Sequence, residues 1–287
     1  MVSLFFDAGL EVSSFEEGRE ITVTLAEPLA IGAKITADIL VEDGNRNTLN
    51  VLVPFRARND RMPDLLINEI RTEGASVNDS AKAKVEFVEF IAKSSGNLGA
   101  LRFFLAGNSF TEPVYEFPPT EVEAGEYIVL HLRTPSPDCV DETGTNIALS
   151  GGPESSPSAR DFWVPGSNKL IHKDDILYLL DQDDKILDAV LLSTGTGASW
   201  GKTALSNAAQ FSADQGAWFP RGGEENIPGT YILSPFDAVY SANTTNTRTI
   251  CRDDTQAKSG SSAYWYIAGN SSATPGTVNS TKKFVSP

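Results

Sequence analysis

The chain has 287 residues, 40% of them hydrophobic and 21% charged, an ordinary globular composition with room for a sizeable core in one or two domains. A formal net charge of −15 and a pI near 4.5, with no cluster of Lys and Arg, disfavour direct binding to phosphate backbones and anionic lipid. No run of about 18 apolar residues occurs, so no membrane-spanning helix is expected, and two cysteines with two histidines leave no Cys/His cluster of metal-ligand spacing.

Residues 1–62 read as a first, all-β unit. Ser3–Phe6, Glu20–Leu25, Lys34–Val41 and Thr48–Phe55 are expected strands. Ile21, Val23 and Leu25 alternate with Thr22 and Thr24, and Asp43-Gly44-Asn45 is a turn signal between two strand runs. Asn59-Asp60-Arg61-Met62-Pro63 serves as a short, stiff linker. The opening Met1-Val-Ser-Leu-Phe-Phe-Asp has neither a charged leader region nor a long apolar one, so the expectation is either a cytoplasmic chain or an exported one whose leader has been removed.

Residues 63–287 read as a second unit built on two strands, Leu65–Ile70 and Val85–Ile91. In the latter, Val85, Phe87, Glu89 and Ile91 share one face and Glu86, Val88 and Phe90 the other. Glu89, and Glu69 beside Leu65 and Ile67, therefore stand on apolar faces and need a cation or several N–H donors. Further strands are expected at Leu101–Ala106, Val114–Phe117 and Glu126–Leu132. Ile176–Leu180 and Ile186–Leu192 form a hairpin across Asp181–Lys185. Strands this short and this regularly punctuated indicate a sandwich or barrel.

Both units carry a resemblance. The order strand, Pro-Leu loop, strand, Asp-Gly-Asn turn and strand ending in Pro54-Phe55 resembles the second half of a bacterial immunoglobulin-like domain. That would leave the fold's first strands outside the chain. Leu66-Ile67-Asn68-Glu69-Ile70 followed by Glu86-Phe87-Val88-Glu89-Phe90 resembles the opening of the lamin tail domain. Glu123–Leu130, Asp175–Val190, Arg248–Arg252, Trp265 and Thr274–Asn279 follow in that family's order. The resemblance implies a compact immunoglobulin-like β-sandwich acting in interaction, often attached to exported or surface proteins of bacteria. The nuclear role of animal lamins does not carry over, because no coiled coil precedes the domain and the charge opposes DNA. The domain is nearly twice the family's usual size. Thr134–Leu170 and Ser193–Asn243, rich in Gly, Pro, Ser, Asn and Asp, are read as loop insertions, common carriers of function.

The candidate residues each have a structural and a functional reading. Glu69 and Glu89 are expected to be structural, tied to Arg252 or Arg248; a paired-carboxylate hydrolase is the alternative. Asp181–Lys185 begins like a calcium loop but lacks its glycine and terminal Glu, and reads as an acidic turn. Asp138, Asp141 and Glu142 offer three hard oxygens for calcium, the one cofactor considered, but three such ligands in a loop are not yet a site, and no metal or cofactor is expected. Cys139 and Cys251 permit one disulfide closing a large loop, with two separate thiols as the alternative. Gly201-Lys202-Thr203 falls short of a phosphate loop, since Thr196 stands where a glycine is needed and no amphipathic helix pattern follows. Trp265 is expected in the core. Trp218, Phe219 and Arg221, inside the second insertion, are binding candidates.

These readings converge on a non-catalytic interaction or structural module of an exported, periplasmic or cell-surface bacterial protein, with a protein or glycan partner at the insertion loops. The alternative is an accessory carbohydrate- or calcium-dependent binding module attached to a catalytic domain outside this chain.

Overall fold

The computed structural model describes residues 2–7, 9–17, 20–75, 83–195, 197–222, 226–253 and 260–285. The chain divides into two compact units, Met1–Asp60 and Arg61–Pro287.

The first unit contains β1 (Val2–Phe6), β2 (Val12–Glu17), β3 (Ile21–Leu25), β4 (Lys34–Glu42) and β5 (Thr48–Arg56). β1, β4 and β5 form one antiparallel sheet in that order, and β2 and β3 form a separate hairpin. β2 is the strand that alternation did not reveal, because its Val-Ser-Ser-Phe-Glu-Glu run has no period of two. The Asp43-Gly44-Asn45 signal does close a turn: the Asp43 carboxylate accepts the backbone N–H of Asn45 at 2.8 Å and of Asn47 at 2.9 Å. Phe6, Ile35 and Ala37 are the buried apolar core. On β5, Leu49, Val51, Val53 and Phe55 share the face of Ile35 and Ala37 yet stay exposed, so this core is thin.

The second unit contains β6 (Leu65–Arg71), β7 (Phe87–Ala92), β8 (Gly96–Asn97), β9 (Arg102–Leu105), β10 (Tyr115–Glu116), β11 (Glu121–Val122), β12 (Tyr127–His131), β13 (Arg160–Trp163), β14 (Asp175–Leu180), β15 (Ile186–Ser193), α1 (Thr203–Asp214), β16 (Val239–Tyr240), β17 (Ile250–Arg252) and β18 (Trp265–Ile267). A six-stranded sheet in the order β13-β12-β7-β6-β17-β18 packs on a five-stranded sheet in the order β10-β9-β14-β15-β16. The fold is all-β and sandwich-like.

Alternation decides which side chains enter the space between the sheets. Val88 and Phe90 of β7 and Ile128 and Leu130 of β12 face Phe103, Leu105 and Leu177 of the other sheet. Phe90 meets Phe103 edge-to-face at 5.6 Å between ring centroids, and Phe117 at 5.8 Å. Phe87, Glu89 and Val129 point to the opposite, outer face, where a small cluster with Ala159 covers part of the sheet.

Both stretches expected as loops carry regular structure. The first contributes β13, which lies parallel to β12 and extends the six-stranded sheet. The second contributes α1 and β16, the latter parallel to β15 at the edge of the five-stranded sheet. The α1 sequence is small-residue rich, so its buried stripe of Leu205, Ala208, Ala209, Ser212 and Ala213 gives little hydrophobic signal although its spacing is helical. Phe211 anchors α1 to the sandwich by meeting the Tyr178 ring at 5.8 Å.

Candidate functional site

The two acidic strand positions are buried and held by hydrogen bonds. Glu69 and Glu89 lie directly opposite each other on β6 and β7, beside a bulge between Ile67 and Glu69, and both are fully buried. Glu69 accepts Thr249 Oγ1 at 2.5 Å, the Thr274 backbone N–H at 3.0 Å and Thr274 Oγ1 at 3.0 Å. Glu89 accepts Asn68 Nδ2 at 2.6 Å and the Gly276 backbone N–H at 2.5 Å. Asn279 Nδ2 completes the closure, donating to Asn68 Oδ1 at 3.0 Å and to the Arg252 carbonyl at 3.1 Å. The carboxylates thus seat the chain's closing segment on the outer face of the sheet. Burial raises the pKa of both, and for Glu89 the neighbouring Glu69 charge raises it further. Neither carboxylate is exposed to solvent.

The expected Arg252 partnership is corrected. Cys251 is the residue in register with Glu69, so Arg252, the next along β17, points through to the other face. There it forms a fully buried ion pair with Asp188, donates Nε to the Ile67 carbonyl at 2.7 Å and lies 4.6 Å over the Trp265 ring. Asp188 also accepts the Ile67 N–H at 2.8 Å, so this pair satisfies the backbone at the bulge. Trp265 is core as expected. Asp188, an acid in the apolar run Ile186–Ser193, was the signal that sequence reasoning overlooked.

Two of the three acids of the first insertion, weighed above for calcium, are engaged by donors of the protein itself. Asp141 accepts Tyr115 OH at 2.5 Å and the Trp163 N–H at 2.8 Å. Glu142 is buried and accepts the N–H groups of Leu149, Ser150 and Asp161 at 2.8 to 2.9 Å. Asp138 is exposed beside them. Among the described residues no group of three or more His, Cys, Asp or Glu side chains is arranged to hold a metal ion. The Asp181–Lys185 run is a turn, its Asp181 carboxylate accepting the N–H groups of Asp183 and Lys185. Of the two cysteine readings the structure shows the separate thiols: Cys139 and Cys251 are both free. Cys251 is buried in the middle of β17 with its thiol 3.7 Å from Glu69, whereas Cys139 sits in the first insertion by Ser136, 3.5 Å away.

The second insertion builds an open cleft. Trp218, expected to touch ligand, is instead fully buried, donating Nε1 to the Asp237 carbonyl at 2.9 Å while its own carbonyl accepts Tyr231 OH at 2.8 Å. It is the pillar on which the neighbouring turn is fixed. Phe219 is half-buried against the Tyr231 ring. Asp237 caps its own turn, accepting Ser234 N at 2.9 Å and Ser234 Oγ at 2.8 Å, and also accepts the Arg221 N–H at 3.1 Å. The rigid 3-10 turn Pro235–Asp237 presents Phe236 outward, 53% exposed, with Tyr240 of β16 nearby at 46%. The exposed Arg221 guanidinium lies over the Phe236 ring at 5.3 Å.

Two hollows meet here. One of 390 Å³ is lined by Arg221, Phe236, Ala238 and Tyr240. The other, of 490 Å³, is lined by Asp174, Trp200, Lys202 and Leu205, and Thr194, Gly195 and Pro235 border both. Asp174 is occupied, accepting Thr194 N at 2.8 Å and Thr194 Oγ1 at 2.8 Å. The helix judged absent after Gly201-Lys202-Thr203 is present as α1, and it brings Lys202 to this cleft; Thr196 lies outside the described residues. Phe236 and Tyr240 were not singled out in the sequence, where a Ser-Pro-Phe-Asp turn is the one local hint, and Lys202 was met only in the rejected phosphate-loop reading. A larger hollow of 730 Å³ contains Glu121, Glu123 and Glu126. It is the weaker candidate because Glu121 and Glu126 are paired with Arg61 and Arg160.

A curated protein of Treponema pallidum (strain Nichols), described as an uncharacterized protein, is 27% identical over 200 residues, covering 66% of this chain and 48% of the relative. The chain therefore spans about half the length of the relative it matches. A crystal structure of a DUF4876 family protein from Bacteroides thetaiotaomicron aligns over 86% of this chain and 84% of its own, at 13% identity and a TM-score of 0.28, a likeness that carries no argument about fold or function. The family model described as TP_1001_2nd, protein second domain, matches residues 63–267, and the chain belongs to that family.

Proposed function

We propose that this chain is a non-catalytic binding module of an exported or cell-surface bacterial protein, and that its ligand sits in the cleft of the second insertion. The observation that carries the reading is the pair of exposed rings, Phe236 and Tyr240, fixed beside Arg221 on a rigid sandwich. Exposed aromatics held by a capped turn keep their geometry without ligand, which lowers the ordering cost of binding. The strand order from Leu66 to Asn279 supports the finer reading of a lamin-tail-like domain, and the Asp-Gly-Asn hairpin of the first unit supports an immunoglobulin-like one. The acidic composition suits an exported protein, and the relative supports a bacterial origin. No helix among the described residues is long and apolar enough to cross a membrane. The exposed rings also favour the accessory carbohydrate-binding form of this function.

A glycan array probed with the full chain and with the Phe236→Ala/Tyr240→Ala variant tests the reading. Glycans bound by the parent and lost by the variant support it. Undiminished binding by the variant moves the ligand elsewhere on the surface.

A further inference from the structure

Charge in the cleft runs against the charge of the molecule. The chain carries 38 acidic and 23 basic side chains, yet the cleft's unengaged charged groups are cations. Lys202 opens on the hollow beside Trp200, and Arg221 on the hollow beside Phe236. Neither makes an ion pair among the described residues, although other cations, such as Arg61, Arg71, Arg102, Arg133, Arg160 and Arg252, are matched with carboxylates. The one acid lining the cleft, Asp174, is spent on Thr194 and Ser193. Arg221 is held by its backbone N–H to Asp237 and by its face on Phe236, an arrangement that leaves the N–H fork of the guanidinium at the edge for a planar oxyanion.

The lining also presents the rings of Phe236, Tyr240 and Trp200 and the apolar Pro235, with the hydroxyls of Thr194 and Ser199 between them. Two hollows of 390 and 490 Å³ joined at Thr194 and Gly195 match the size of small-molecule sites, about 300–1,000 Å³. A polyphosphate chain is disfavoured, because two cations do not offset the repulsion from the surrounding acidic surface. A short ligand with one or two anionic groups and ring faces of its own fits both kinds of lining.

We infer that the ligand of this cleft is an acidic saccharide, its carboxylate groups held by Arg221 and Lys202 and its rings lying against Phe236 and Tyr240. This rests on the binding reading above and narrows it to a chemical class.

The test is calorimetric titration of the full chain with three probes: a trimer of galacturonic acid, the fully methyl-esterified form of the same trimer, and inorganic phosphate. The acid trimer is expected to bind, with the ester weaker by about tenfold or more, the loss of a charge-assisted hydrogen bond. Arg221→Ala and Lys202→Ala should each weaken the acid trimer by a similar factor, and added salt should weaken it further. Both side chains are exposed, and an unchanged melting temperature verifies that the variants fold. Equal binding of ester and acid overturns the anionic class while leaving the cleft as a glycan site. Phosphate binding as tight as the trimer's overturns saccharide recognition in favour of a bare oxyanion site. No binding by any probe overturns the inference, and the glycan array then decides separately whether the cleft binds at all.

Discussion

Replacing Asp188 with Ala should be the most damaging small substitution in the second unit. The carboxylate has two jobs that no neighbour can take over. It neutralises Arg252, which is itself fully buried, and it accepts the Ile67 N–H at 2.8 Å where the bulge in β6 withdraws that group from the ladder. Removing one member of a buried pair leaves an uncompensated charge in the core, costing about 3–5 kcal/mol. For a unit of this size roughly 2–4 °C of melting temperature is lost per kcal/mol, so a fall of about 6–20 °C is expected. Thermal unfolding followed by circular dichroism reads it. Asp188→Leu combined with Arg252→Met should recover the part of the loss due to the stranded charge, while the Ile67 N–H and carbonyl stay unpaired. An Asp188→Ala variant within about 1 kcal/mol of the parent, or a double variant as unstable as the sum of its parts, would refute the buried-pair account.

Three further outcomes follow from the same side chains. Burial raises Glu69, Glu89 and Asp188, and pushes Asp175 up to about 7, so the folded state binds more protons than the unfolded one. For Asp175 the contribution is fully present below about pH 4 and is lost as pH rises through about 7; melting temperature should therefore climb as pH is lowered from 8 to 5, and a flat or falling profile contradicts it. After chelator treatment, millimolar calcium should leave the melting temperature unchanged, because Asp141 and Glu142 already spend their oxygens on N–H and O–H donors; a rise of several degrees contradicts that. Thiol titration without reductant should find two free cysteines in denaturant, with Cys251 unreactive in the native state, where burial both shields it and raises its pKa. Finding none contradicts the free-thiol assignment.

Period-two alternation made β7 legible, while β12 and the β14–β15 hairpin were legible as short apolar runs punctuated by Ala124-Gly125 and by the acidic Asp181–Lys185 turn. The need of Glu69 and Glu89 for partners was legible as well, because a carboxylate between Phe87 and Ile91 has no other cheap explanation. Which partners they find was not. Pairing Cys251 rather than Arg252 with Glu69 is a matter of register, and a shift of one residue moves every side chain to the other face. The sequence also offers nothing to show that backbone N–H groups of Thr274 and Gly276 fold back over the sheet. α1 escaped notice because Ala and Ser bury as a stripe without raising hydrophobicity. Trp218 misled because an aromatic inside a Gly- and Pro-rich stretch reads as exposed until its pillar role under Asp237 is seen. Phe236 is its counterpart: an ordinary residue of a turn that becomes prominent only once the Ser234–Asp237 cap aims it outward.

Mapping a bound saccharide onto the chain tests the central claim most directly. The isotope-labelled protein would be titrated with the best binder from the glycan array, and the backbone amides that move would be recorded. The cleft account predicts shifts concentrated at Thr194, Gly195, Lys202, Arg221, Phe236 and Tyr240, with the first unit silent. Shifts gathered instead around Glu121 and Glu126, or within residues 1–60, would contradict it.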